Sequence, residues 1–388
     1  MNNNDRPSRP KVGLVMSGGG ARAAYQVGVL RAISELMPRD ERNPFPVICG
    51  TSAGAINAAV LAMNGSNFRR GVRELVRVWK NFSARYVYRS DPVGVLRNTA
   101  HWLLAALAGG GLGRQTPVSL LDNAPLAELL RGRLEFSAIQ AAIDAGDLDA
   151  VGVTCSGYAS GQAVTFFQGA PELKPWRRAR RLGIAMPIEL DHLMASSALP
   201  FIFPAVRINR EHFGDGSMRQ VAPISPALHL GADRLLIIGV GRQLDQSPER
   251  IKADAYPSLS HIAGHCLNSI FLDSLEVDLE RLRRINRTLA LIPPQVIAQN
   301  EVALRPVDFR LMSPSTALEK IAGDYAHELP RAIRLLFYGA LNRSGSNLLS
   351  YLLFEKSFCR ALIQLGYEDT MRQKDDLMQF LGWCGPAE

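Results

Sequence analysis

The sequence is short of several things, and each shortage excludes a class. Its five cysteines, Cys49, Cys155, Cys266, Cys359 and Cys384, are odd in number, scattered and never spaced CxxC. Neither a disulfide framework nor a cysteine zinc site is expected, and free thiols in a reducing, cytoplasmic compartment are. No run reaches the roughly 18–20 apolar residues needed to cross a bilayer. The longest candidate, 102–112, is short and contains Gly109-Gly110-Gly111. The first eleven residues are polar and proline-bearing, without the apolar stretch of a signal peptide. There is no internal repeat and no low-complexity tract, and lysine supplies only 7 of the 44 basic side chains. An integral membrane protein, a secreted disulfide module and a repeat array are all set aside.

What remains is 388 residues of ordinary globular composition, 47% hydrophobic and 21% charged, enough for two or three domains. Forty-four basic residues against 36 acidic ones leave a net charge of +8. Residues 64–115 hold much of it: Arg69, Arg70, Arg73, Arg77, Lys80, Arg85, Arg89, Arg97 and Arg114 stand against only Glu74 and Asp91. A second cluster is Arg177, Arg178, Arg180 and Arg181. Arginine in bulk suits phosphate on nucleic acid, phosphate on lipid head groups, or a plain solvated face.

Apolar runs at 11–16 and 44–49 each stop at a glycine-bearing turn and lead into helical spacing, at 24–37 and 55–63. Two strand–turn–helix units in 65 residues predict a parallel sheet. Helical spacing then fills about 67–147, an insertion or cap broken at Asp91-Pro92 and at the triple glycine. Strands are expected at 150–156 and 162–167 as a hairpin, near 205–208, at 233–240 and, last, at 288–292. Short helices are expected at 189–196 and 223–230, a tight turn at 213–217, a polar linker at 243–257, and long helical periodicity over 258–286. The sheet-bearing body is expected to span 11–310, with 311–388 a helical C-terminal region.

Three glycine turns carry chemistry. Gly18-Gly19-Gly20-Ala21-Arg22-Ala23 satisfies GxGxxA between strand and helix, yet the next strand ends Cys49-Gly50-Thr51-Ser52 without the ribose-binding carboxylate of a dinucleotide site. Unshielded N–H groups at a helix N-terminus instead suit an oxyanion, with Arg22 adding charge or bracing the loop. Gly50-Thr51-Ser52-Ala53-Gly54 is GxSxG, whose small residues permit the strained bend that exposes a serine. Gly214-Asp215-Gly216 offers a carboxylate flanked by glycines; a turn aspartate capping the next helix is the bland alternative. None of the seven histidines stands in a glycine-bounded turn after a strand. His261 and His265 share a helical face, but no Glu follows the first, so no zincin motif is present and no metal or cofactor is expected.

In this order and spacing, GGGAR at 18–22, GTSAG at 50–54 and DG at 215–216 resemble the patatin-like phospholipase family, as does Ser197-Ala198-Leu199-Pro200 with Phe203-Pro204. The resemblance covers about 11–241. It implies an α/β fold of three layers, α/β/α, with a mainly parallel central sheet, and a Ser–Asp dyad acting on acyl esters of lipids without histidine. It carries over Ser52 as nucleophile, Asp215 as base, Gly18, Gly19, Gly20 and Arg22 as the oxyanion loop, and Gly50 and Gly54 as the elbow. Ala23 stands where glycine is usual, and Ser217 where the family has glycine or alanine.

With that resemblance the basic segment reads as a membrane-facing one. Its charge accompanies Trp102, Leu103, Leu104 and Leu107, the profile of an interfacial helix, so peripheral contact with an anionic membrane is expected and nucleic acid is not. Two other readings stay open: an α/β-hydrolase esterase using Ser52, Asp215 and one of His229, His261, His265 or His327, and a patatin-fold regulatory or partner-binding scaffold. No oligomeric state follows from the sequence.

Overall fold

The computed structural model describes residues 10–89, 91, 94, 119–241, 265, 269, 274–293, 295–296, 304–336 and 346–383. Strands β1 (Val12–Met16) and β2 (Val47–Thr51) are buried along their whole length, which is why both read as unbroken apolar runs. β1 passes through the glycine turn and a short 3-10 segment, Gly20–Ala23, into α1 (Ala24–Leu36). β2 bends at Ser52 into α2 (Ala53–Met63). The two strands are parallel with Met16 opposite Gly50, so they end level and their turns emerge side by side.

Around this pair the sheet extends in the order β10-β9-β1-β2-β3-β4-β6-β5. The run from β10 (Asp308–Met312) through β9 (Arg234–Ile238), β1 and β2 to β3 (Ala150–Gly157) is parallel throughout. The antiparallel pairings gather beyond it. β4 (Ala163–Gly169) returns against β3 as the hairpin pattern predicts, and β5 (Trp176–Arg178) closes the edge against β6 (Arg181–Ala185), so the second arginine cluster lies on an edge hairpin. β7 (Val206–Ile208) and β8 (Glu211–Asp215) form a side branch, in which β8 pairs with the far end of β3 and sets Asp215 opposite Cys155.

Helices cover both faces. One core cluster joins α1, α2, α3 (Phe68–Trp79), α4 (Ala124–Arg131) and α5 (Ser137–Asp144) to the sheet, and the other lies under α7 (Ser225–His229) and α8 (Ser274–Ala290). α6 (Leu190–Ser196) packs on β3 near the branch. The chain then continues through α9 (Leu318–Tyr325), α10 (Arg331–Leu336), α11 (Ser346–Leu352), α12 (Lys356–Arg372) and α13 (Lys374–Leu381). The stretch set apart as a C-terminal region is helical beyond β10, and it is built into the main core: Phe358, Leu362 and Ile363 of α12 are buried against α1.

Two expectations are corrected. The strand expected at 288–292 does not form; α8 runs through Ala290, because Leu275, Leu279, Leu282 and Leu289 continue one buried helical stripe that outweighs the local strand propensity. The last strand is β10 instead. The tight turn expected at 213–217 is shorter, since Phe213 and Gly214 belong to β8 and Asp215 is its last residue. Within the helical insertion, α3, the 3-10 turn Ala84–Tyr86, α4 and α5 are helical as expected. The interfacial segment with Trp102, Leu103, Leu104 and Leu107 lies outside the described residues, as do the polar linker 243–257, His101, His261, Cys266 and Cys384. Cys49, Cys155 and Cys359 are buried free thiols. Among the described residues no helix is long and apolar enough to cross a membrane.

Candidate active site

Ser52 occupies the single residue between β2 and α2, with φ 55° and ψ −131°. This conformation is strained for a residue with a side chain and costs on the order of 1–3 kcal/mol. Two things hold it there. The Ser52 N–H donates to Ser196 Oγ at 2.8 Å, and that hydroxyl donates in turn to the Thr154 carbonyl at 2.7 Å, tying the bend to α6 and β3. Gly54 lets the first turn of α2 ride against the end of β1; a Cβ at that position would lie 2.6 Å from the Met16 and Ser17 carbonyl oxygens. Gly50, the other elbow glycine, lies within β2.

Asp215 ends β8 and is wholly buried, its N–H donating to the Ala198 carbonyl at 2.9 Å. Oδ1 accepts the Ser217 N–H at 2.9 Å, while Oδ2 is buried without a well-formed hydrogen bond. Burial pushes the carboxyl up from an ordinary 3.8 to about 6, against the nearby Ser52 hydroxyl and the Ser217 N–H and hydroxyl, which favour the charged form. The helix-capping reading of this aspartate holds in part, since Oδ1 does cap the 3-10 turn Gly216–Met218. The structure thus brings together the serine and the aspartate singled out in the sequence, 163 residues apart, with the Ser52 hydroxyl near enough to favour the carboxylate's charged form but not joined to it by a hydrogen bond of ordinary geometry.

The glycine loop lies beside them at the level end of β1. Among the described residues no hydrogen bond uses the N–H groups of Gly18 or Gly19, and Gly20 lines the same cavity as Ser52. Gly20 has φ 53°, and a Cβ there would lie 2.3 Å from the Tyr351 carbonyl oxygen, so the loop needs glycine for both conformation and clearance. Arg22 points elsewhere. Its side chain is 1% exposed, with Nε donating to Ser350 Oγ at 2.8 Å and the guanidinium 4.1 Å from the Tyr351 ring centroid; Glu319 lies 3.7 Å away. Of the two sequence-based roles, bracing is the one these contacts support.

The loop is also held from below. Trp79 Nε1 donates to Asn57 Oδ1 at 2.9 Å, Asn57 Nδ2 to Gln26 Oε1 at 3.0 Å, and Gln26 Nε2 to the Ser17 carbonyl at 2.8 Å. This buried chain of three side chains crosses α3, α2 and α1 to reach the residue before Gly18. The sequence reading missed it, although Gln26 and Asn57 are lone amides within otherwise apolar helical stretches, a signal that could have found them.

From Ser52 a cavity of about 980 Å³, open mouth included, runs along α2. Its walls are Ile56 and Val60 of α2, Leu75, Val78 and Trp79 of α3, Leu126, Leu129 and Leu130 of α4, then Leu199, Phe203, Tyr351, Leu352 and Phe354. Charge enters only through Glu74 and Arg133. The helical insertion and the C-terminal region together therefore wall an almost wholly apolar cavity that includes Ser52, a lining that suits an acyl chain.

No histidine among the described residues lines this cavity or hydrogen-bonds Asp215. His229 stacks on Trp176 with centroids 4.9 Å apart, and buried His192 accepts the Glu189 N–H at 3.0 Å on Nδ1. His265 and His327 are exposed. Nor does any group of three or more His, Cys, Asp or Glu among the described residues form a metal-binding cluster.

The patatin-like phospholipase family matches residues 14–228, more than half of the chain. The chain belongs to that family. Its mixed, mostly parallel sheet between helical layers is the patatin fold. Among curated relatives, a cGAMP-activated phospholipase of Pseudomonas aeruginosa (strain BWHPSA011 / Pa011) is 29% identical over 218 residues, 56% of this chain and 55% of that protein. The uncharacterized protein YjjU of Escherichia coli K12 is 27% identical over 254 residues, 64% of this chain and 57% of that one. The chain thus spans little more than half the length of these relatives. Similar solved structures include VipD of Legionella pneumophila, at 13% identity and TM-score 0.36, covering 95% of this chain and 67% of that one. Human GIVD cytosolic phospholipase A2 is similar at 13% identity and TM-score 0.46, covering 98% of this chain and 61% of that one.

Proposed function

We propose that this protein is a serine lipid acyl hydrolase of phospholipase A type, using a Ser52–Asp215 dyad and the Gly18–Gly20 amides as oxyanion donors. The observation that carries the reading is the position of Ser52: a strained serine beside a wholly buried carboxylate, in the wall of an apolar cavity. Membership of the family supports the lipid acyl-hydrolase class.

The chemistry follows from these groups. Ser52 Oγ attacks the ester carbonyl as its proton passes to Asp215, and the new oxyanion accepts from the glycine-loop amides. The intermediate collapses by breaking the bond to the lysolipid or alcohol oxygen, which takes the proton from Asp215. Water then gives a proton to Asp215 and attacks the acyl-enzyme carbonyl, the fatty acid leaves, and Ser52 recovers its proton. A carboxyl with pKa about 6 is ionised at neutral pH yet a stronger base than an exposed aspartate, which suits both halves of the cycle. The apolar cavity takes the acyl chain, and the substrate class is a phospholipid or another fatty-acyl ester presented by a membrane with which the protein makes peripheral contact.

Hydrolysis of a long-chain phospholipid by the parent and by Ser52→Ala and Asp215→Asn tests this. Both variants should be inactive; retained turnover in either rules out the dyad.

A further inference from the structure

Phe201 contradicts its surroundings twice. Its side chain is 70% exposed, the most open aromatic among the described residues, and its backbone has φ +65°, in the left-handed region that an aromatic residue adopts only at a cost. Neither burial nor conformation rewards a phenylalanine there, and a glycine would be free of the strain. The conformation is nevertheless fixed: the Phe201 and Ile202 carbonyls accept the Leu120 and Leu121 N–H groups, both at 2.9 Å. A strained residue held by its neighbours and offered to solvent is the pattern of a functional site.

Its location says what it would meet. Leu199 and Phe203, two residues to either side, line the cavity, whereas the exposed Phe201 between them does not, so its ring stands outside the cavity wall. Nearby, Tyr88 packs on Phe203 with ring centroids 6.3 Å apart, and Arg89 holds Asp122 both through its N–H, which donates to the carbonyl at 2.8 Å, and through its guanidinium, with Nε 3.1 Å from Oδ2, beside the residues that clamp Phe201. Arg85 and Arg89 are exposed on the same short segment as Tyr88, with Tyr86 37% exposed between them. An exposed aromatic ring beside the cavity wall, with the exposed Arg85 on the neighbouring segment, has the chemistry of a bilayer surface: ring among the acyl chains, guanidinium at phosphate.

We infer that Phe201 is an interfacial anchor that inserts into the lipid surface and brings the mouth of the Ser52 cavity to its substrate. The inference rests on the lipid acyl-hydrolase reading, and it adds a residue that acts on the membrane and not on the reacting atoms.

The test uses Phe201→Gly, which removes the ring while keeping, and relaxing, the backbone. Two quantities are measured on the full chain. The first is partition onto phosphatidylcholine/phosphatidylglycerol vesicles, in a Ser52→Ala background that cannot consume lipid. The second is the ratio of turnover on those vesicles to turnover on a soluble short-chain nitrophenyl ester. Phe201→Gly should weaken partition and lower the ratio by about tenfold or more, with Phe201→Trp restoring both. Unchanged partition overturns the inference, and so does a parallel loss on both substrates at constant ratio, which would make Phe201 a structural residue. If the lipid acyl-hydrolase reading itself fails, neither substrate is turned over, and the partition measurement still decides the anchor.

Discussion

The Arg22 guanidinium lies over the Tyr351 ring, 4.1 Å from its centroid, so the glycine loop in the first strand–turn–helix unit is braced by a residue more than 300 positions later in the chain. The Arg22–Ser350 hydrogen bond at 2.8 Å closes the same contact, and Gly20 abuts the Tyr351 carbonyl. The loop is thus clamped between the C-terminal region on one side and the Gln26–Asn57–Trp79 chain on the other.

Arg22→Lys separates bracing from charge. Lysine keeps the positive charge but loses the planar group that stacks on Tyr351 and reaches Ser350. If bracing is the role, kcat on a soluble ester falls by roughly ten- to a hundredfold with KM little changed, as expected for a loop displaced by a fraction of an ångström. Steady-state kinetics of the parent and Arg22→Lys check this; near-parental kcat would mean that charge alone suffices.

Asp215→Asn should be inactive and more stable than the parent above pH 6. The folded-state pKa of Asp215, about 6, is above its ordinary 3.8 because burial disfavours the anion. Below about 3.8 both states hold the proton and there is no penalty. As pH rises towards 6 the native state holds more protons than the unfolded one, so stability falls with pH. The accumulated cost is on the order of 3 kcal/mol at pH 8, and an uncharged amide escapes it. Thermal melts across pH 4–8 should show the two proteins converging at the acid end and Asp215→Asn melting higher at the basic end. Activity of the parent should rise with pH through about 6.

Val60→Trp should change chain-length preference. Val60 lines the cavity two turns beyond Ser52, roughly 12 Å along the α2 axis. An indole there obstructs that part of the cavity and leaves the part beside Ser52 open. The ratio of kcat/KM for a butyryl ester to that for a palmitoyl ester should rise by about tenfold or more, as measured with a series of nitrophenyl esters. An unchanged ratio would place the acyl chain elsewhere.

How much of this was legible in the sequence depends on whether the cause is local. The β1 and β2 runs, the turns that follow them and the 150–167 hairpin are dictated by neighbouring residues, and they appear where the sequence puts them. Ser52 and Asp215 could be singled out because a strained bend and a close backbone approach both demand glycine neighbours. What stayed hidden depends on distant partners. The Ser196 hydroxyl that holds the Ser52 N–H comes from 144 residues away, and nothing around it marks it among ordinary serines. The α12 stripe of Phe358, Leu362 and Ile363 is plainly amphipathic, but its periodicity does not reveal that α1 is its partner, so the C-terminal region read as an appendage. At 288–292 the local residues favour a strand, and the longer leucine stripe overrules them.

The central claim, that Asp215 activates Ser52, is tested most directly by the rate of covalent labelling with a long-chain fluorophosphonate, followed by mass spectrometry of the modified peptide. The account predicts a single adduct on Ser52, a rate that climbs with pH through about 6, and labelling lost in Asp215→Asn. An adduct elsewhere, or Ser52 labelling at parental rate in Asp215→Asn, would contradict it.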